Sequence, residues 1–334
     1  MAFVVDGSEW CFDGWSHEEI RNAIDNFLER ISIARDRNEV IWIGDNFQTR
    51  SVLGDQDLWS LFSPDCPVQL SIDICQELSA WLGMAPLYLD DPSWPDGVEE
   101  ALIQVEMEAP AENQDIAWAH HRVRNGSAAA CLGLKRSGPH LTKSDLGEAT
   151  LYWVQDENTH RAFWRSAIKF EGDDEAALER LSPHAFPDLY FHSDVWRGLS
   201  RLAGGYLSHR SEVQRYLATL DEFGKWAFTF PPPALRPGEP AGPNPKAQPS
   251  NQIIERRFLG LKLDMAPENP NVFKDRRCRE AREIELAAKI LFCEWHAKIE
   301  PHQNRIHIHP PASESGGKVI IAIIHRHLPL PGDD

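Results

Sequence analysis

Two stretches near the C-terminus change between apolar and polar character at every residue, a period of two that is the signature of a half-buried strand, and a third, apolar stretch follows them. Cys293, Trp295, Ala297 and Ile299 alternate with Glu294, His296, Lys298 and Glu300. Ile306 and Ile308 alternate with Arg305, His307 and His309, and Val319, Ile321 and Ile323 alternate with Ile320, Ala322 and Ile324. A helix competes for the first stretch, since Ile284, Ala288, Leu291, Trp295 and Ile299 share one helical face and Arg279 to Lys289 reads as helical. Continuation of the alternation decides for strands. The expectation is an antiparallel meander over residues 290–300, 304–309 and 318–325, with Trp295, Ile306, Ile308 and Ile321 buried.

The alternation also sets a register. With Glu300-Pro301-His302-Gln303 as the turn, His296 faces His307, Lys298 faces Arg305, Ala297 faces Ile306 and Trp295 faces Ile308. A slip of one residue would carry charges into the apolar stripe. Across the next connection, Pro310 to Gly317, pairing His309 with Lys318 sets Arg305 opposite Ala322 and Ile306 opposite Ile321. One face then gathers Glu294, His296, Lys298, Arg305, His307 and His309, with Lys318 and Arg326 at its margins, while His325 and His327 project to the other side. Imidazoles beside fixed cations are the parts that metal-free RNA cleavage requires. His296 and His307 are the expected acid–base pair, and Lys298, Arg305, His309 and Arg326 the expected substrate-holding groups. The bland alternative is a solvated sheet face. A zinc site from His296, His307, His309 and Glu294 is opposed by the neighbouring Lys298 and Arg305, so no metal and no cofactor are expected.

The rest of the chain frames this constellation. At 334 residues it exceeds one ordinary core, so two domains are expected. Residues 1–230 read as a mixed α/β domain, the Pro-rich stretch 231–252 as a linker, and 253–334 as the C-terminal sheet domain with a preceding helix, giving an α+β class. The net charge of −17 is uneven: residues 251–334 carry 13 Lys+Arg against 12 Asp+Glu, leaving 21 against 39 before them. The acidic N-terminal domain should repel nucleic acid and suits a protein-interaction surface; RNA or a protein is the partner class. No apolar run approaches a membrane span and the N-terminus lacks a basic leader, so a cytoplasmic protein is expected. The six cysteines include no CxxC pair and read as reduced, mostly buried thiols.

Phe3 to Val5 is an expected strand, Ser16-x-x-Glu19 a capping box opening a helix through Ala34, and Val40 to Ile43 a second strand. Helices follow at Ile74 to Leu82 and Asn158 to Ile168, strands at Ala128 to Leu134 and Thr150 to Val154, and Ser193 and Ser211 read as caps of later helices. Asp6 and Asp45 end strands, where metal-dependent nucleases of the PIN and NYN type carry carboxylates; the resemblance extends only over Val-Val-Asp-Gly, and turn chemistry explains both. His120 and His121 point about 100° apart on a helix, which disfavours joint ligation. The phrases Trp295-His296-x-Lys298, Arg305-Ile306-His307 and His327-Leu328-Pro329 resemble a closing motif of uncharacterised bacterial proteins of mobile and phage-defence character, over about 40 residues. A helix with a small antiparallel sheet is loosely similar to RelE-type messenger-RNA interferase toxins. The closing motif brings no established activity; the leading expectation, a metal-independent toxin-like ribonuclease of a defence or toxin system, rests on the His/Lys/Arg face. The competing function is a non-catalytic partner- or ligand-binding component of such an assembly.

Overall fold

The computed structural model describes residues 2–99, 101–229 and 249–332. The fold is α+β and divides into two compact units, Met1–Glu171 and Gly172–Asp334. Most of the expected linker, residues 231–248, lies outside the described residues; Ser250 precedes a helix over Asn251–Gly260.

In the first unit the opening strand–helix–strand forms as the sequence implies. Ala2–Val5 pairs in parallel with Val40–Trp42, and His17–Asp36 joins them behind the Ser16/Glu19 capping box. Ala2–Val5 also pairs in parallel with Ala129–Leu132, and Gly147–Val154 follows it; Gly138–Ser144, Leu102–Val105 and Ala111–Glu112 complete a seven-stranded sheet antiparallel in that half. Phe163 and Trp164 pack on Phe3 as core, with ring centroids 5.3 and 5.8 Å away.

The second unit is built on a five-stranded sheet in the order Leu189–Phe191, Val319–His325, Gln303–His309, Trp295–Glu300 and Met265–Pro267. Its three middle strands are the expected meander. The register of the first pair is the one derived from alternation: Trp295 with Ile308, His296 with His307, Ala297 with Ile306 and Lys298 with Arg305. Residues 172–229, expected to belong with the N-terminal domain, sit in this unit because Leu189–Phe191 pairs in parallel with Val319–Ile321. The long helix Gly205–Ala227 presses on the same sheet, so closely that a Cβ on Gly224 would lie 3.1 Å from Val319 Cγ2. That helix runs straight through Ser211, which therefore caps nothing, and Ser193 precedes only a 3-10 segment, Trp196–Arg201.

Two further expectations are corrected. The second meander pairing sets Arg305 opposite His325 and Ile306 opposite Ile324, not Ala322 and Ile321. A β-bulge between the His307 and Ile308 pairings leaves Ala322 unpaired, and Gly316 and Gly317, both left-handed, lengthen the preceding turn. The helix expected over Arg279 to Lys289 is instead a short helical turn, Arg276–Glu280, followed by a hairpin of Glu283–Leu286 and Lys289–Phe292. Its two-residue turn is Ala287-Ala288, both at positive φ (51° and 60°), a conformation that alanine composition does not announce. The expected strand 290–300 thus breaks at Cys293-Glu294.

This hairpin changes the meaning of the sheet. Ile284, Leu291 and Cys293 form one buried cluster with Ile320 and Ala322, so the hairpin roofs part of the face expected to be solvated. On the opposite face Trp295 meets Phe228 and Phe258, with ring centroids 5.8 and 6.2 Å away.

Candidate metal centre

His296 and His307 lie side by side as cross-strand partners, their ring centroids 5.6 Å apart. Two groups that the alternation did not reveal meet them. Glu268 directly follows the edge strand Met265–Pro267, which pairs Ala266 with His296, and the Glu268 N–H donates to Glu294 O at 2.6 Å. Arg282 opens the hairpin: its carbonyl accepts the Cys293 N–H, and its guanidinium donates to Cys278 O and Pro329 O.

Three nitrogens converge on one carboxylate oxygen, Glu268 Oε1: Arg282 Nε at 2.7 Å, His296 Nδ1 at 3.3 Å and His307 Nδ1 at 3.4 Å. The four side chains are only 7, 3, 15 and 2% exposed for Glu268, Arg282, His296 and His307. Yet none of those three nitrogens, nor His307 Nε2, closes a well-directed hydrogen bond among the described residues. Burying polar atoms without directed partners is costly, on the order of 1–3 kcal/mol each; Arg282 Nε, a donor only, has the Glu268 carboxylate beside it, whereas the two imidazole Nδ1 atoms can offer lone pairs to an ion.

Protonation states follow from the surroundings. Burial pushes the His307 imidazole down to about 4, only partly opposed by contact with Glu268, so it is neutral at ordinary pH. Burial alone would push Glu268 up, but contacts with His296, His307 and Arg282 outweigh it and hold the carboxyl well below the usual range. A neutral imidazole and an ionised carboxylate are metal-ligand forms. Glu268, His296 and His307 form the one group of three His, Cys, Asp or Glu residues among those described whose ligand atoms all lie within 4.8 Å of one another. Bonds of about 2.0–2.1 Å around a tetrahedral zinc separate ligand atoms by about 3.3–3.4 Å, which matches both nitrogen–oxygen edges here. Two imidazoles and one carboxylate suit zinc, or iron(II) in a facial triad.

The other expected site residues turn elsewhere. Lys298 pairs with Asp264 at 3.1 Å, Arg305 donates to the Glu300 and Gln303 carbonyls, and His309 Nδ1 lies 2.7 Å from Pro310 O. Arg326 is exposed at the end of the third strand, and Lys318 donates to Pro187 O. The two cations held to oppose a metal are thus engaged outside the His pair, and the cation at the cluster is Arg282. A carboxylate oxygen has two lone-pair sites, so Arg282 can orient Glu268 on one side while the other remains for an ion.

In the first unit Asp45 behaves as a turn residue, while Asp6 caps the turn that follows it and also takes long-range partners, pairing with Arg136 at 3.6 Å. Buried Asp6 accepts from Ser8 N and Oγ and from Trp153 Nε1, and exposed Asp45 accepts from the next N–H, at 2.9 Å. His120 bonds Thr142 and Ser144, with burial lowering it to about 4, while His121 contacts Arg124. Cys66, Cys131, Cys278 and Cys293 are buried thiols, Cys75 is half-buried and Cys11 exposed. No helix among the described residues is long and apolar enough to cross a membrane. No family model, no curated protein and no solved structure matches this chain.

Proposed function

We propose that the second unit is a transition-metal-binding module in which Glu268, His296 and His307 hold one divalent ion of the zinc class. The observation that carries this reading is the convergence of both Nδ1 atoms on Glu268 Oε1 at tetrahedral-edge distances, with no directed hydrogen bond to explain it. An ion there, with three protein ligands and one tetrahedral position left open, also ties elements of the unit together. It joins the edge strand through Glu268 to the two central strands, and through the Glu268–Arg282 pair it fastens the hairpin roof. Metal-free acid–base cleavage of RNA by the same imidazoles needs open approach to both, and His307 at 2% side-chain exposure offers little.

The test is metal content of the full chain purified without a metal-affinity tag. About one zinc per chain is expected, with His307→Ala and Glu268→Gln reducing it at least tenfold. After stripping, an ion at 100 times its dissociation constant stabilises by about 2.7 kcal/mol, and cobalt(II) should give the absorption bands of a four-coordinate site. Substoichiometric metal that the substitutions leave unchanged, with no stabilisation by added zinc or iron(II), overturns the proposal. If the metal-free chain instead cleaves RNA in a His296-dependent manner, the ribonuclease reading takes its place.

A further inference from the structure

A cleft of about 650 Å³ opens in the second unit between the end of the third meander strand, the hairpin and the segment around the Trp196–Arg201 turn. It is separate in composition from the metal centre, since none of Glu268, His296 and His307 lines it. Volumes of roughly 300–1,000 Å³ are those of small-ligand sites.

The floor is formed by Ile284, Ile323, Ile324 and Leu328, of which Ile323 is the one not largely buried, and the rest of the lining is mostly polar. One wall presents Arg201 and His325. Arg201 has no ion-pair partner among the described residues; His325 Nδ1 accepts the His327 N–H at 3.0 Å, which leaves the ring proton on Nε2 as a donor. Burial, and to a smaller extent the Arg201 charge, hold this imidazole below its ordinary range. Two donors facing a cleft without a carboxylate bound to either form half of an anion site. Of the three lining acids, Asp194 is neutralised by Arg197 at 2.9 Å and Glu283 by Arg279 at 3.2 Å, which leaves Glu285 on the hairpin wall. That remaining acid disfavours a second negative charge deeper in the cleft.

We infer that this cleft binds a small amphipathic monocarboxylate, its head on Arg201 and His325 and its apolar body on the isoleucine floor. The shape is built in: Gly198 lies so close beneath Ile324 that a Cβ there would sit 2.0 Å from Ile324 O, so the wall carrying Arg201 is pressed against the strand carrying His325.

The experiment uses the full chain with 4-phenylbutyrate and 4-phenylbutylamine, an anion and a cation of similar body, read by calorimetry and by the His ring carbon–proton NMR spectrum. Phenylbutyrate is expected to bind with submillimolar affinity and to shift the His325 resonance, assigned with His325→Gln. Arg201→Gln should weaken it at least tenfold while leaving the metal content and the fold's circular dichroism unchanged. Phenylbutylamine binding as tightly, undiminished binding to Arg201→Gln, or no phenylbutyrate binding at 5 mM (about the weakest that two charge-assisted hydrogen bonds would give) overturns the inference.

Discussion

Removing the Glu268 carboxylate isolates a buried cation, and the structure says how much that should cost. Arg282 is 3% exposed with its Nε 2.7 Å from Glu268 Oε1. Breaking one partner of a buried pair typically costs about 3–5 kcal/mol. Two of the guanidinium's bonds, to Cys278 O and Pro329 O, survive the change, which places Glu268→Leu near the lower end, about 3 kcal/mol. The chain has two compact units, so a global melt is a poor readout. Amide exchange of the segment 295–309, followed by mass spectrometry in EDTA to exclude metal, reports this sheet alone. At 1.4 kcal/mol per tenfold, a loss of about 3 kcal/mol accelerates exchange through opening of the unit by roughly 150-fold. The double change Glu268→Leu with Arg282→Met removes both charges at similar volume and should recover at least half of that loss, since buried ion pairs gain little over packed apolar groups. Less than threefold acceleration in the single variant refutes the reasoning, as does a double variant destabilised by the sum of its singles.

Other outcomes follow from separate features. In the first unit, burial lowers His120 to about 4; its unfolded form gains a proton near 6.5, so stability should fall as pH drops from 6.5 towards 4. His120→Gln should flatten that slope in pH-dependent urea melts, and an unchanged slope counts against the assignment. Gly198→Ala forces a Cβ to 2.0 Å from a backbone oxygen, so the second unit should lose several kcal/mol (about 3 or more), measurable as exchange in 319–325. Under native conditions Cys11, the exposed thiol, should be labelled by a thiol reagent before Cys66, Cys131, Cys278 and Cys293; a buried cysteine labelled first would show that the packing is wrong.

How much of this was legible depends on what each contact leaves in the chain. The pairing of 295–300 with 303–309 was readable to the residue because every rung of an antiparallel ladder imposes its own constraint on side-chain character. Glu268 was not, since its strand, Met265–Pro267, has three residues and ends in proline, too short to show a period. The domain boundary was misplaced because a Pro-rich stretch is visible in composition, whereas the three-residue parallel pairing of Leu189–Phe191 with Val319–Ile321 is a long-range contact with no local mark. The first strand and turn of the hairpin, 283–289, were mistaken for the end of a helix because Ile284 and Ala288 satisfy a helical spacing, while Ile284 directly opposite Leu291 satisfies a two-residue hairpin equally well.

One sign of the roof was nevertheless present. Residues 319–324 are Val-Ile-Ile-Ala-Ile-Ile, apolar at both parities, and a strand apolar on both sides is covered on both sides. Five of those six residues are buried, and Ile320 and Ala322 sit in the cluster with Ile284, Leu291 and Cys293. A strand beside His307 that needs cover on both faces cannot share a fully solvated polar face with it. The imidazoles of such a sheet therefore lose water and require an internal partner. In this chain that partner is Glu268: the desolvation that closes the face to a large substrate such as RNA keeps His307 neutral, while the contacts of Glu268 with His296, His307 and Arg282 keep its carboxylate ionised against the same burial.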